Sequence, residues 1–277
     1  MPAQSAVRFR AFAQGRRAVR RLLFLLLALS LTSCAPRLPS PPAPEPATTP
    51  LTLLDHGRFQ LWYDCQRGEP HRFAFTLDQD QGHLQRIDNF RLERSLPEGC
   101  KGQRSAKAYS IPKGYHRGHL AANNHFDDDR AAMDASNLMS NIVPQLASHN
   151  SRTWYQTELL TECYRDLHPV TVIGGVVFGH AGAALDNDAF VTSHGIATPE
   201  VFWKVLLTED DHGQPQVIAW WIPHQAGLGT DLDPYLRSVR EIEALLGPDE
   251  LPIDVPESLK DLRASHTWPV PARCDRE

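Results

Sequence analysis

The sequence predicts an α+β domain built on a central, mainly antiparallel sheet flanked by helices. Three observations lead there: short apolar or alternating runs come in pairs split by turn-forming residues, only two stretches carry a helical pattern, and no internal repeat or Gly-rich phosphate loop is present. In chain order, RFQLWYD (58–64) and RFAFTL (72–77) flank QRGEPH as the arms of a hairpin, and a further strand is expected over 85–92. The segment 149–165 reads as a helix in which Trp154, Glu158 and Glu162 recur every four residues. VTVIGGVVFG (170–179) is apolar on both faces, as a buried strand is. EVFWKVLLTE (200–209) and QVIAWWIP (216–223) form an antiparallel pair across the turn-rich DDHGQP. The last helix is expected over 233–247, with Asp233 as N-cap, Pro234 in the first turn and Gly247 past the end. Leu236, Val239, Ile242 and Leu246 make its apolar stripe.

Residues 1–50 are set apart from this domain. Arg8, Arg10, Arg16, Arg17, Arg20 and Arg21 form a basic leader without an acidic residue, and LLFLLLALSL (22–31) follows. That apolar run falls short of the roughly 20 residues a spanning helix needs and suits a signal-peptide core. It ends in LTSC, which resembles the bacterial lipobox and makes Cys34 the lipidated N-terminus of the mature chain. The alternative is an ordinary signal peptide with an incidental cysteine. Residues 34–50 hold seven prolines, an extended spacer that cannot build a core. The expected organisation is therefore a signal peptide over 1–33, a linker over 34–50 and one domain over 51–277, placed on the periplasmic side of an outer membrane. Ala35 after the cysteine is the pattern of outer-membrane lipoproteins. A secreted or periplasmic soluble protein is the alternative destination.

Without the leader, 22 Lys+Arg stand against 33 Asp+Glu, a balance of −11. Such a charge excludes general electrostatic adhesion to nucleic acid or anionic lipid but leaves room for a local basic cleft. Beyond Cys34, four cysteines remain, and an even number in an exported chain suggests two disulfides. Of the three connectivities, Cys65–Cys100 with Cys163–Cys274 is preferred, the first pair on proximity in sequence. The spacings are not those of a zinc site.

Chemistry concentrates in YHRGHLAANNHF (115–126) and NIVPQLASHNSRTWYQTE (141–158). On an extended backbone Arg117 and His119 project to one face, so one can hold a phosphate while the other takes a proton from water. Asn150 and Glu158 stand eight apart, about two helical turns or roughly 12 Å, too far for both to bind one ion directly. Side chains lean toward the helix N-terminus, so Glu158 reaches back toward a metal-bound water while Asn150 touches the ion.

The order Arg117-Gly118-His119, then Asn141, Pro144 and Gln145, then Asn150, Trp154 and Glu158 resembles the DNA/RNA non-specific endonuclease family. MDASNLMSN (133–141) and VREIEALLGPDELP (239–252) are also similar to family segments. The close likeness covers about 115–162. It implies the ββα-metal nuclease fold and hydrolysis of DNA and RNA to 5′-phosphate and 3′-hydroxyl ends. It further implies His119 as general base, Asn150 as the single protein ligand of Mg2+ (with Mn2+ as a substitute), Glu158 on a metal-bound water and Arg117 on the phosphate. Two departures stand out: His116 replaces the family's Asp, and Ala122 its common Pro.

Plainer readings accompany these. His125, His149, His180 and His194 are expected to be solvated. His116 and His119 as a transition-metal pair suffer from Gly118 between them and from the lack of a third ligand. Asn150 suits an N-cap, Trp154 the core and Glu158 a surface charge, while Asp127, Asp128 and Asp129 suit a solvated loop or helix start. Rival functions are a lipoprotein of this fold that binds nucleic acid without turnover, and a metal phosphodiesterase for a small envelope substrate.

Overall fold

The computed structural model describes residues 51–179, 189–272 and 274; the leader, Cys34, the proline-rich segment and His180 lie outside them. The predicted hairpin is β2 (Phe59–Asp64) with β3 (Glu69–Leu77), preceded by β1 (Thr52–Asp55). Strand β6 (Val170–Phe178) lies between β3 and β7 (Pro199–Glu209), pairings the sequence had not assigned, and β7 pairs with β8 (Pro215–Pro223) as expected from their apolar runs. A two-residue β9 (Leu236–Arg237) closes an antiparallel sheet in the order β1-β2-β3-β6-β7-β8-β9.

A separate two-stranded ladder, β4 (Tyr115–His119) with β5 (Ile142–Leu146), sits beside the helical segment that follows it. Between them runs α1 (Arg130–Ser136), whose N-cap is Asp129, accepting from the Ala131 and Ala132 amides. The helix-start reading of the aspartate run holds for that residue. After β5 the chain enters a π-helical turn, His149–Trp154, and continues as α2 (Tyr155–Arg165). A four-residue α3 (Val191–His194) follows β6.

The sheet is covered on both faces, which is why β7 shows no polar alternation. Phe202 and Leu206 belong to the large core shared with β4, β5 and α2, through Val143, Trp154 and Leu160. Trp203 and Val205 pack on the other side with Val239 and Ile242 of α4 (Val239–Leu246) and with Ile253, Val255 and Leu259. Both preferred disulfides are formed, Cys65–Cys100 and Cys163–Cys274, closing 35 and 111 residues of chain.

Three expectations are corrected. Residues 85–92 are not a strand: Arg91 alone makes an isolated bridge, to Leu138. The backbone there bonds irregularly to α1 and its surroundings, Leu84 donating to Asp127 and Arg91 to Asn137, so the segment lies as a cover without pairing in a ladder. The final helix does not begin at Asp233. Residues Asp233–Tyr235 make one 3-10 turn, Leu236–Arg237 add the edge strand, and Ser238 caps α4 in a reciprocal box with Glu241. Two bonds from that box outweigh the weaker Asp-Pro start. His125, His149 and His194 are buried instead of solvated, His149 completely: His125 packs on Phe75 and faces Glu162, His149 packs on Phe202 with Gln145 at Nδ1, and His194 packs on Tyr109 with the Lys107 carbonyl at Nε2.

Candidate active site

Arg117 and His119 leave β4 on the same face, as strand alternation requires, and both meet the ring of Phe90. The Arg117 guanidinium lies 3.7 Å from the centre of that ring, donates to the Ala106 carbonyl at 3.1 Å and pairs with Asp88 at 3.1 Å. It is a cation held in place from three sides.

Gly118 between them is required by a close approach. A Cβ there would stand 2.2 Å from Gln145 Oε1 and 2.6 Å from Gln145 Cβ on the paired strand. Gln145 is buried and donates from Nε2 to His149 Nδ1, so it has little freedom to withdraw. Gly118→Ala is expected to destabilise the fold by about 1–3 kcal/mol through overpacking, read as a lower urea midpoint at unchanged slope.

The state of His119 follows from its neighbour. Asn137 Nδ2 donates to the Ile87 carbonyl and to Asn89 Oδ1, which turns Asn137 Oδ1 toward the imidazole at 2.9 Å. An oxygen can only accept, so His119 carries its proton on Nε2 and keeps a lone pair on Nδ1. Burial lowers its pKa to about 4 against the support of Asn137, with Arg86 and Arg117 pushing the same way as burial. The ring is neutral throughout the physiological range.

The π turn sets the register of the helical half. In a continuous α-helix, Asn150 and Glu158 would point about 80° apart, eight residues at roughly 100° each. The i→i+5 turn over His149–Trp154 rotates less per residue and removes most of that offset. Asn150 and Glu158 consequently line one cleft of about 480 Å3 together with Arg86, Arg117 and His119. Asn150 is not an N-cap here; its amide meets His116 Nδ1 at 3.1 Å. Trp154 is fully buried beneath the turn, as its core reading expects. Glu158 is half-buried at the cleft, not a free surface charge.

Behind Trp154 lies a buried cation. Lys204 of β7 is 1 % exposed, and its ammonium sits 4.0 Å from the centre of a Trp154 ring. Burial raises the Glu158 carboxyl, opposed first by Lys204 and then by Arg86; burial lowers the Lys204 ammonium, opposed by Glu158. The two charges support each other in a poorly hydrated place. Lys204→Met is expected to cost about 3 kcal/mol, because it strands a carboxylate, and Glu158→Gln added to it should recover much of the loss. Thermal unfolding of the single and double variants checks this.

One turn beyond Glu158, Glu162 also faces the cleft and is raised to about 8, chiefly by burial, despite Arg165. A larger groove of about 550 Å3 between α4 and residues 247–260 has its charges paired internally, Arg240 and Lys260 with Glu243 and Glu257. Among the described residues no three His, Cys, Asp or Glu side chains gather to hold a metal ion.

All four residues singled out in the domain's sequence therefore meet in one cleft. Arg86, Asn137 and Lys204 were not singled out. Lys204 did carry a signal, a lone charge inside the apolar FWKVLL, and Asn137 stands within the family-like MDASNLMSN; Arg86, on an irregular segment, had none.

The sequence model of DNA/RNA non-specific endonucleases matches residues 44–261. The chain belongs to this family. Among its relatives is a Nostoc sp. (strain PCC 7120 / SAG 25.82 / UTEX 2576) protein named Nuclease, 29% identical over 229 residues, which are 77% of this chain and 78% of that one. Mitochondrial endonuclease G of Bos taurus is 28% identical over 56% of this chain and 60% of its own length. The human protein of that name is 28% identical over 64% and 67%. The solved structure titled "Crystal structure of the EndoG/EndoGI complex: Mechanism of EndoG inhibition" superposes with a TM-score of 0.56 at 19% identity, over 69% of this chain and 82% of that one. That likeness concerns the fold: a mostly antiparallel sheet with flanking helices, the ββα-metal nuclease architecture. This family member is thus a nuclease-type protein, and nucleic acid is the family's partner. No helix of the described residues is long and apolar enough to cross a membrane.

Proposed function

We propose that this chain is a metal-dependent, sugar-non-specific endonuclease that hydrolyses DNA and RNA to 5′-phosphate and 3′-hydroxyl ends. One observation carries the reading: a neutral His119, its tautomer set by Asn137, shares a cleft with a fixed arginine and with Asn150 and Glu158. His119 Nδ1 takes a proton from water as that water attacks phosphorus. Arg117, with Arg86 in the same cleft, neutralises the phosphate oxygens where negative charge accumulates.

The donors suit a hard cation that keeps most of its waters, Mg2+ with Mn2+ as a substitute. Asn150 would hold it through the amide oxygen and Glu158 through a water; the ion supplies Lewis-acid stabilisation of the phosphate when bound. Lys204 favours the ionised form of Glu158 against the effect of burial. The leader and Cys34 support a lipid anchor to the bacterial envelope, on the periplasmic side of the outer membrane, with residues 34–50 as tether and 51–277 as the working domain.

The lack of a three-ligand metal cluster among the described residues favours a second reading, a nucleic-acid-binding protein of this fold without turnover. A small-substrate phosphodiesterase is the remaining rival. Incubating the disulfide-intact chain with supercoiled plasmid, RNA and a small phosphodiester, in Mg2+ or EDTA, separates the three. Nicking and RNA degradation that EDTA stops support the nuclease. Binding without cleavage in any divalent ion supports the second reading, and turnover of the small diester alone supports the third.

A further inference from the structure

Tyr155 opens α2 and lines the cleft with Asn150, Ser151, Glu158 and Leu159. Trp154 before it is fully buried, yet Tyr155 is 45 % exposed. No hydrogen bond or ring contact from another described residue occupies its side chain. Side chains of a helix lean toward its N-terminus, so the ring lies over the exposed Ser151, one turn back, on the side of Asn150. Leu159, one turn on and half-buried, lines the same cleft and extends its apolar edge. The catalytic cleft therefore has an open aromatic face that packing in the fold does not use.

Charge points to what that face holds. The cleft lining carries two cations, Arg86 and Arg117, against two carboxyls, Glu158 and Glu162, and Arg117 already pairs with Asp88. The chain beyond the leader carries a balance of −11. Phosphate contacts alone give such a surface little grip on a polyanion. Proteins that hold single strands without reading sequence add aromatic rings on which bases stack, and every base offers a face for it. In a duplex the neighbouring pairs cover both faces of a base, whereas an unpaired strand can turn a base onto a side chain.

We infer that Tyr155, with Leu159 beside it, is a stacking shelf for a nucleobase next to the scissile phosphate, and that it makes unpaired DNA or RNA a better substrate than duplex. The inference rests on the reading of the cleft as a nuclease site. Tyr155 is a positioning residue: it holds the strand while Arg117 and Arg86 meet the phosphate, and it takes no part in moving a proton.

The test compares the disulfide-intact parent with Tyr155→Ala, Tyr155→Phe and Tyr155→Trp, with circular dichroism and thermal midpoint as checks of folding. Three fluorescent probes are used: a short single strand of mixed sequence, the same strand with abasic sugars throughout, and the first annealed to its complement. Anisotropy in EDTA reads binding, and cleavage in Mg2+ reads kcat and KM. The parent should bind the base-bearing strand at least about fivefold tighter than either other probe. Tyr155→Ala should weaken that strand by about 5- to 100-fold and raise its KM to match, with kcat within about twofold, while the abasic strand changes by less than about twofold. Tyr155→Phe and Tyr155→Trp keep a stacking face and should stay near the parent. If the parent binds no probe, or all three equally, the inference falls. It also falls if Tyr155→Ala leaves the base-bearing strand unchanged or weakens the abasic strand as much. Mg2+-dependent cleavage with an unchanged KM in Tyr155→Ala would remove the shelf and leave the nuclease. Binding that needs Tyr155, without cleavage by the parent, would keep the stacking contact and remove the nuclease reading.

Discussion

Replacing His119 by Ala is expected to slow plasmid nicking in Mg2+ by about 10²–10⁴-fold, the contribution typical of a positioned general base. The ring is well prepared for that role. Asn137 holds the Nε2 proton, two arginines discourage a second proton, and the pKa of about 4 leaves Nδ1 unprotonated above pH 5. A base this weak still works when the water it deprotonates is acidified by a bound cation. Asn137→Leu should produce a smaller loss, since the ring remains but its tautomer is released. Its signature is a change in the maximal rate with an unchanged apparent affinity for DNA. Single-turnover cleavage and a filter-binding assay on the same preparations give both numbers. His119→Ala retaining more than about a tenth of the parent rate would remove this ring from the chemistry.

Acid should unfold this protein early, through histidines that the core keeps neutral. Burial lowers His119 and His224 to about 4 and His149 to about 3, each from an ordinary 6.5, and holds His125 well below that value. The hydrogen bonds agree. His224 Nε2 accepts from the Leu146 amide while Nδ1 donates to the Pro199 carbonyl, and His149 Nδ1 accepts from Gln145. A second proton on either ring would face a donor.

As pH falls below 6.5 the unfolded chain takes up protons that the native one refuses. Stability therefore drops continuously toward pH 4, by on the order of 3 kcal/mol for His119 alone. Glu162 acts with the opposite sign. Raised from 4.5 to about 8, it stabilises the fold below its unfolded value and loses that contribution as pH rises toward 8. Burial also raises Glu69, Asp127 and Glu158, which act with the sign of Glu162, so stability is lost on both sides of the neutral range and the histidines carry the acid limb. Thermal midpoints between pH 4 and 8.5 at constant ionic strength measure it, and His149→Gln should flatten the acid limb. A midpoint level from 6.5 down to 4.5 would contradict the burial of these rings.

What could be read from the chain by itself was whatever rests on local pattern. The hairpin arms, the two-faced apolar runs of β6, β7 and β8, the 149–165 helix and the spacing Arg117, His119, Asn150, Glu158 all follow from periodicities of two or 3.6 and from motif order. Local pattern also misled: the Asp233-Pro234 start lost to the Ser238–Glu241 box, and the strand expected over 85–92 became a cover. Only the tertiary structure decided the rest. It chose the π turn that aligns Asn150 with Glu158, the Asn137 contact that sets the His119 tautomer, and the burial of Lys204 beneath Trp154. Each depends on groups distant in sequence meeting where water is excluded, and charge and proton position are determined by that exclusion, to which a local pattern is blind.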